Sequence, residues 1–116
     1  TGDRLKAIEA TTEAAGRYVA QATEDANRKL RKFEGQIAAK ERQAAEAAAL
    51  TEQAKQNLDV FQAQYDAGQR QVMDVVGVYE TFARQQENEV TLKYEAIRLR
   101  IAMAELLGVL ADGSNI

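Results

Sequence analysis

The sequence contains no proline, cysteine, histidine or tryptophan. Lack of cysteine rules out disulfides and thiolate metal sites, and it is compatible with a reducing or an oxidising compartment. Lack of histidine removes the commonest general base and metal ligand. There is no glycine-rich phosphate loop, and the carboxylates lie on helical patterns without a clustered metal spacing. No catalytic residue, cofactor or metal site is therefore expected, and the chain does not read as an enzyme. No apolar run approaches the ~18 residues of a membrane-spanning helix. The start, "TGDRLKAIEA", has no signal-peptide pattern. Beginning on Thr rather than Met, the chain is expected to be a processed product or an excised piece of something longer.

A large excess of one sign of charge is also lacking. Lys and Arg number 15 against 18 Asp and Glu, for a net charge of −3, and the two signs are interleaved. That balance argues against nucleic acid or an anionic membrane surface as the main partner. The basic run "RKLRKF" (28–33) is flanked by Glu24, Asp25 and Glu34 and reads as a solvated helix face. Glu24 with Arg28, Asp25 with Lys29, and Glu80 with Arg84 have the acid-first spacing of four, worth ~0.2–0.5 kcal/mol each.

What remains is helix. Apolar residues make up 46% of the 116, but alanine supplies a large share and each alanine buries little area. A thick single core is not expected, whereas an almost wholly α-helical chain is. In the first arm Leu5, Ile8, Ala15, Val19, Ala22 and Ala26 form a heptad stripe. It continues through Leu30, Phe33, Ile37, Ala44, Ala47, Ala54, Leu58, Phe61 and Tyr65. Two successive steps of four, Ala22 to Ala26 to Leu30, make a stutter that locally unwinds a left-handed supercoil. Unbroken, such an arm would span ~90 Å at ~1.5 Å per residue.

The second arm carries two apolar lines. One is Val76, Tyr79, Ala83, Val90, Tyr94, Ile97, Ile101 and Ala104, and the other is Phe82, Leu92, Leu99, Met103 and Leu106. A two-stranded hairpin needs only one narrow stripe, so two lines imply neighbours on two sides. Gly108 and Gly113 supply stop signals. The expected organisation is a single segment: helix over about 3–66, a turn over about 67–71, helix over about 72–110, and a short tail at 111–116. A turn this short makes the helices antiparallel, giving an all-α, long antiparallel coiled-coil hairpin. The arms are unequal, so the far end of the first is expected to find its partner in chain beyond these residues.

The stretch "YDAGQRQVMDVV" (65–76) carries a family resemblance. It resembles the Y-x-x-G-x-x-x-x-x-D-V signature of TolC-like outer membrane factors, where that segment is the periplasmic tip of a helical hairpin. The following "ETFARQQENEVTLKYEAIRLRIAMAELLGVL" is similar to that family too, with an aromatic like Tyr94 and a Leu-Gly ending like Leu107-Gly108. The resemblance is strongest over residues 50–110. It implies the periplasmic tunnel segment of a trimeric outer membrane channel for efflux or type I protein secretion, part of an α-barrel.

The resemblance also implies roles and partners. Asp74 and Arg70 match pore and gate positions, Asp74 facing the pore and Arg70 tying one hairpin to its neighbour. Gly68, Gln69, Arg70, Gln71 and Val72 match the surface that meets a periplasmic adaptor (membrane fusion) protein, which links the channel to an inner-membrane pump or ABC exporter. From the residues alone, Asp74 reads as an aspartate favoured in the first turn of a helix, and Arg70 as a partner for Asp66 or Asp74 within its own loop. Gly77 stands where many members have a second acidic residue, so a double acidic ring is not expected. The alternative reading is a free-standing antiparallel coiled coil serving as a scaffolding or interaction module.

Overall fold

A computed structural model describes residues 1–114. They form two helices, α1 (Gly2–Asp66) and α2 (Val72–Ser114), with no strand among the described residues. The fold is the expected all-α helical hairpin. Cα proximity separates the chain into two units, Thr1–Glu34 and Gly35–Ile116.

In the first unit every residue through Glu24 is exposed. Its apolar stripe shows plainly, with Leu5, Ile8 and Val19 each 61% accessible. Three threonines are accommodated by donating their hydroxyls back to the carbonyl four residues earlier: Thr11 to Ala7, Thr12 to Ile8 and Thr23 to Val19. That bond satisfies the hydroxyl within the helix, at a slight cost in helix stability. Arg28 pairs with Asp25, three residues back, rather than with Glu24.

The second unit holds the hairpin proper. On α1 the covered line runs through Ile37, Lys40, Ala44, Ala47, Thr51, Ala54, Leu58 and Phe61 in alternating threes and fours, with Ala39, Ala48 and Gln64 also half-buried. On α2 the covered line is Val75, Val78, Phe82, Gln85, Glu89, Leu92, Ala96, Leu99, Met103 and Leu106, again in threes and fours, with Ala83, Glu95 and Ala102 half-buried beside it. Both are heptad seams, the signature of coiled-coil packing. The α2 line through Phe82 and Leu92 therefore packs inside the hairpin, whereas the line through Val76 and Tyr79 lies mainly on the outside.

Among the described residues only Ile37, Ala44, Ala47 and Ala96 are buried, Ala47 most deeply at 2% accessible. Three alanines in four mean that the helices meet by close backbone approach rather than through bulky side chains. Burying Ile37 contributes ~1.5–3 kcal/mol, and each alanine less. Among the described residues two ion pairs cross between the helices, Lys40 to Glu95 and Arg100 to Glu41. Lys40 Nζ lies 2.6 Å from Glu95 Oε2. That oxygen is buried without a well-aligned hydrogen bond, so the pair is close in distance but poorly directed. Such half-exposed pairs contribute ~0–1 kcal/mol each.

Two local expectations are corrected. The second helix does not stop near Leu110: it runs through Gly108 and Gly113 to Ser114. Neither glycine has a positive φ, so neither takes the left-handed conformation that ends a helix. Asn115 and Ile116, the rest of the expected tail, lie outside the described residues. Arg84, expected to pair with Glu80, instead donates to Thr81 Oγ1 at 3.4 Å. The acid-first pair of spacing four that does form is Glu89 with Lys93, at 3.6 Å.

Candidate functional site at the hairpin tip

The turn is built from the end of α1 outward. Gly68 has φ +78°, and it is the one residue with positive φ among the described residues. Its N–H donates to the Tyr65 carbonyl at 2.9 Å, and the N–H of Gln69 donates to the Gln64 carbonyl at 2.8 Å. These two bonds, five-to-two and six-to-one, make a Schellman motif with Gly68 at the left-handed position. Carbonyls that the end of α1 would leave without partners are satisfied within the turn. The expected turn residue is therefore the observed one.

The start of α2 is closed in a similar way. Asp74 lies in the first turn, and its Oδ2 accepts the Gln71 backbone N–H at 3.2 Å, while the Asp74 N–H donates to the Gln71 carbonyl at 3.0 Å. A carboxylate at the third helical position reaching back to the capping residue is half of a capping box. It also sits where the helix dipole favours negative charge. The local reading of Asp74 is thus correct: it holds the helix start, using one of its two oxygens.

Arg70 pairs with neither Asp66 nor Asp74. Its guanidinium carbon lies 4.2 Å from the centroid of the Phe61 ring, and its Nε donates to Gln64 Oε1 at 2.8 Å. The turn doubles back so that Arg70 lies over the last two turns of α1. A cation over an aromatic face at an exposed site contributes ~0.5–1 kcal/mol. The seat uses Nε, and the two terminal amino groups carry four further N–H donors. Arg70 is thereby held at the surface of the tip in a defined pose.

Gly68, Gln69, Arg70, Gln71 and Val72 are all exposed, as is the neighbouring Met73, and they form one continuous tip surface. On one side of the hairpin below the tip runs an open groove. Its upper part, ≈ 380 Å³, is lined by Ala54, Asn57, Phe61, Met73, Asp74 and Gly77, with Val78 and Thr81. A lower part, ≈ 550 Å³, continues past Leu50, Val60 and Gln85. Gly77 faces open space, and a Cβ there would meet nothing within 4 Å. The residue costs ~1 kcal/mol of helix stability against alanine and receives no packing in return. Asp74 and Gly77, one helical turn apart, line the same groove, while Arg70 lies over Phe61.

No group of histidine, cysteine, aspartate or glutamate suited to a metal ion is present among the described residues, and no described helix is long and apolar enough to cross a membrane. Periodicity alone did not single out Phe61 and Gln64 as partners of Arg70. Their signal is spatial, because a Schellman turn brings the residue two beyond its glycine back over the helix it ends. Comparison with family models, curated proteins and solved structures gave no match.

Proposed function

We propose that this chain is the periplasmic helical hairpin of a TolC-like outer membrane channel, serving efflux or type I protein secretion. The observation that carries the reading is the tip. The residues with the family-like pattern coincide with the hairpin turn: Gly68 at its left-handed position, Arg70 on its surface and Asp74 opening the returning helix.

In this reading three chains build a tunnel that projects from the outer membrane into the periplasm. Asp74 faces the pore, where a ring of carboxylates attracts cations. Gly77 in place of a second acid leaves one such ring. Arg70, preset on Phe61, offers its terminal amino groups to a neighbouring hairpin and holds the closed state. Residues 68–72 dock a periplasmic adaptor, through which an inner-membrane pump or ABC exporter is engaged. The exposed apolar stripe of the first unit supports this reading over a free-standing scaffold, since Leu5, Ile8 and Val19 have no cover of their own.

The test is the natural chain on either side of these residues. It should contain a second Tyr-x-x-Gly tip between long helices, and segments of alternating hydrophobicity able to form a membrane barrel. If both are missing, the channel reading fails.

A further inference from the structure

The chain has two methionines, and with no cysteine, histidine or tryptophan present their thioethers are the side chains a hydroperoxide attacks first. The fold treats the two differently. Met103 is half-buried on the covered seam of α2, whereas Met73, in the first turn of that helix, is 69% accessible.

We propose that Met73 is a reversible oxidation site, taking a hydroperoxide as oxidant and a methionine sulfoxide reductase for its restoration. The sulfur attacks the outer oxygen of the peroxide: a sulfur–oxygen bond forms and the oxygen–oxygen bond breaks. The proton of the transferred oxygen passes through water to the departing one, which leaves as water or an alcohol. Sulfur loses two electrons and the peroxide gains them. In the reverse direction a dithiol is oxidised to a disulfide, and the sulfoxide oxygen leaves as water.

Both directions need open access. Attack requires the sulfur to be exposed together with water that carries the proton, and the reductase must reach the sulfoxide. Met73 meets both conditions, whereas Met103 is shielded by the packing of α2 on α1.

The change falls on a defined surface. Met73 lines the upper groove with Phe61, Asp74 and Val78, and it continues the exposed tip of residues 68–72. A sulfoxide places a polar sulfur–oxygen bond and a new stereocentre where a flexible apolar thioether stood. Because so much of this side chain is open to solvent, the hairpin keeps its stability while its tip surface changes. In the channel reading this is the edge of the adaptor-docking surface; the oxidation site itself does not rest on that reading.

The test uses the 116-residue chain and dilute hydrogen peroxide. Trypsin places the two methionines on separate peptides, residues 71–84 and 101–116, so oxygen uptake at each can be followed by mass spectrometry. Met73 should be oxidised roughly fivefold or more faster than Met103 in the folded chain, and the two rates should converge in urea. With Met73 alone oxidised, the urea midpoint should be unchanged. The two types of methionine sulfoxide reductase, one for each sulfoxide epimer, should together return Met73 to the thioether when supplied with a dithiol. Comparable rates in the folded chain, a difference that persists in urea, a fall in midpoint on oxidation of Met73, or a Met73 sulfoxide that the reductases leave untouched would each overturn the proposal.

Discussion

Replacing Ala47 with aspartate should destabilise the hairpin by ~3 kcal/mol or more. Ala47 is the most buried side chain described, at the centre of the α1 seam. The nearest seam residues of α1, Ala44 and Thr51, carry no charge, and Lys40, two turns away, is already paired with Glu95. A carboxylate there must be desolvated, protonated, or expelled by separating the helices. Ala45→Asp is the control: Ala45 is exposed two residues away, and its replacement should lose only the ~0.7 kcal/mol of helix propensity. Urea denaturation followed by circular dichroism separates the two cases as a large against a small fall in midpoint. Equal midpoints would mean that α1 and α2 do not pack through Ala47.

The second large effect is expected at the turn. Gly68→Val should cost ~2 kcal/mol, because a β-branched residue is forced to φ +78°. A Cβ at this position would meet nothing within 4 Å, so the penalty comes from the backbone conformation itself and not from a clash. Gly68→Asn should recover about half of it, since asparagine enters the left-handed region more readily. If valine and asparagine lower stability equally, the penalty arises elsewhere than in the left-handed backbone. Loss at this position also releases the Gln69-to-Gln64 bond and unseats Arg70, so a change in tip structure should accompany the change in stability.

The hairpin was legible in the sequence because its causes are local and periodic. Ile37, Ala44, Ala47, Ala54, Leu58 and Phe61 could be named as the α1 seam from spacing alone. Lys40 and Thr51, which complete the seam, are polar and invisible to an apolar pattern. Lys40 fits by sending its ammonium to Glu95, and Thr51 by donating its hydroxyl to the Ala47 carbonyl at 2.8 Å. On α2 both apolar lines could be read, but not which of them faces α1. The inner line contains Gln85 and Glu89, so it looks weaker than the outer one although it is the one covered.

The tip divides along similar lines. Glycine at a left-handed turn and aspartate in a first helical turn follow from rules that act within a few residues. The seat of Arg70 does not, because it depends on the turn folding back over Phe61 and Gln64. A sequence reading looks first for an opposite charge, and Asp66 and Asp74 were the obvious candidates. Geometry preferred an aromatic face and an amide oxygen.

The central functional claim is that Asp74 faces the pore of an oligomeric channel. Its most direct test is ion-selectivity recording in planar bilayers on the full-length protein, comparing the native chain with Asp74→Asn. The native protein should form cation-selective pores, and Asp74→Asn should lower the preference for cations several-fold while pores still form. Absence of any conductance from the native protein, or selectivity unchanged by Asp74→Asn, would contradict it.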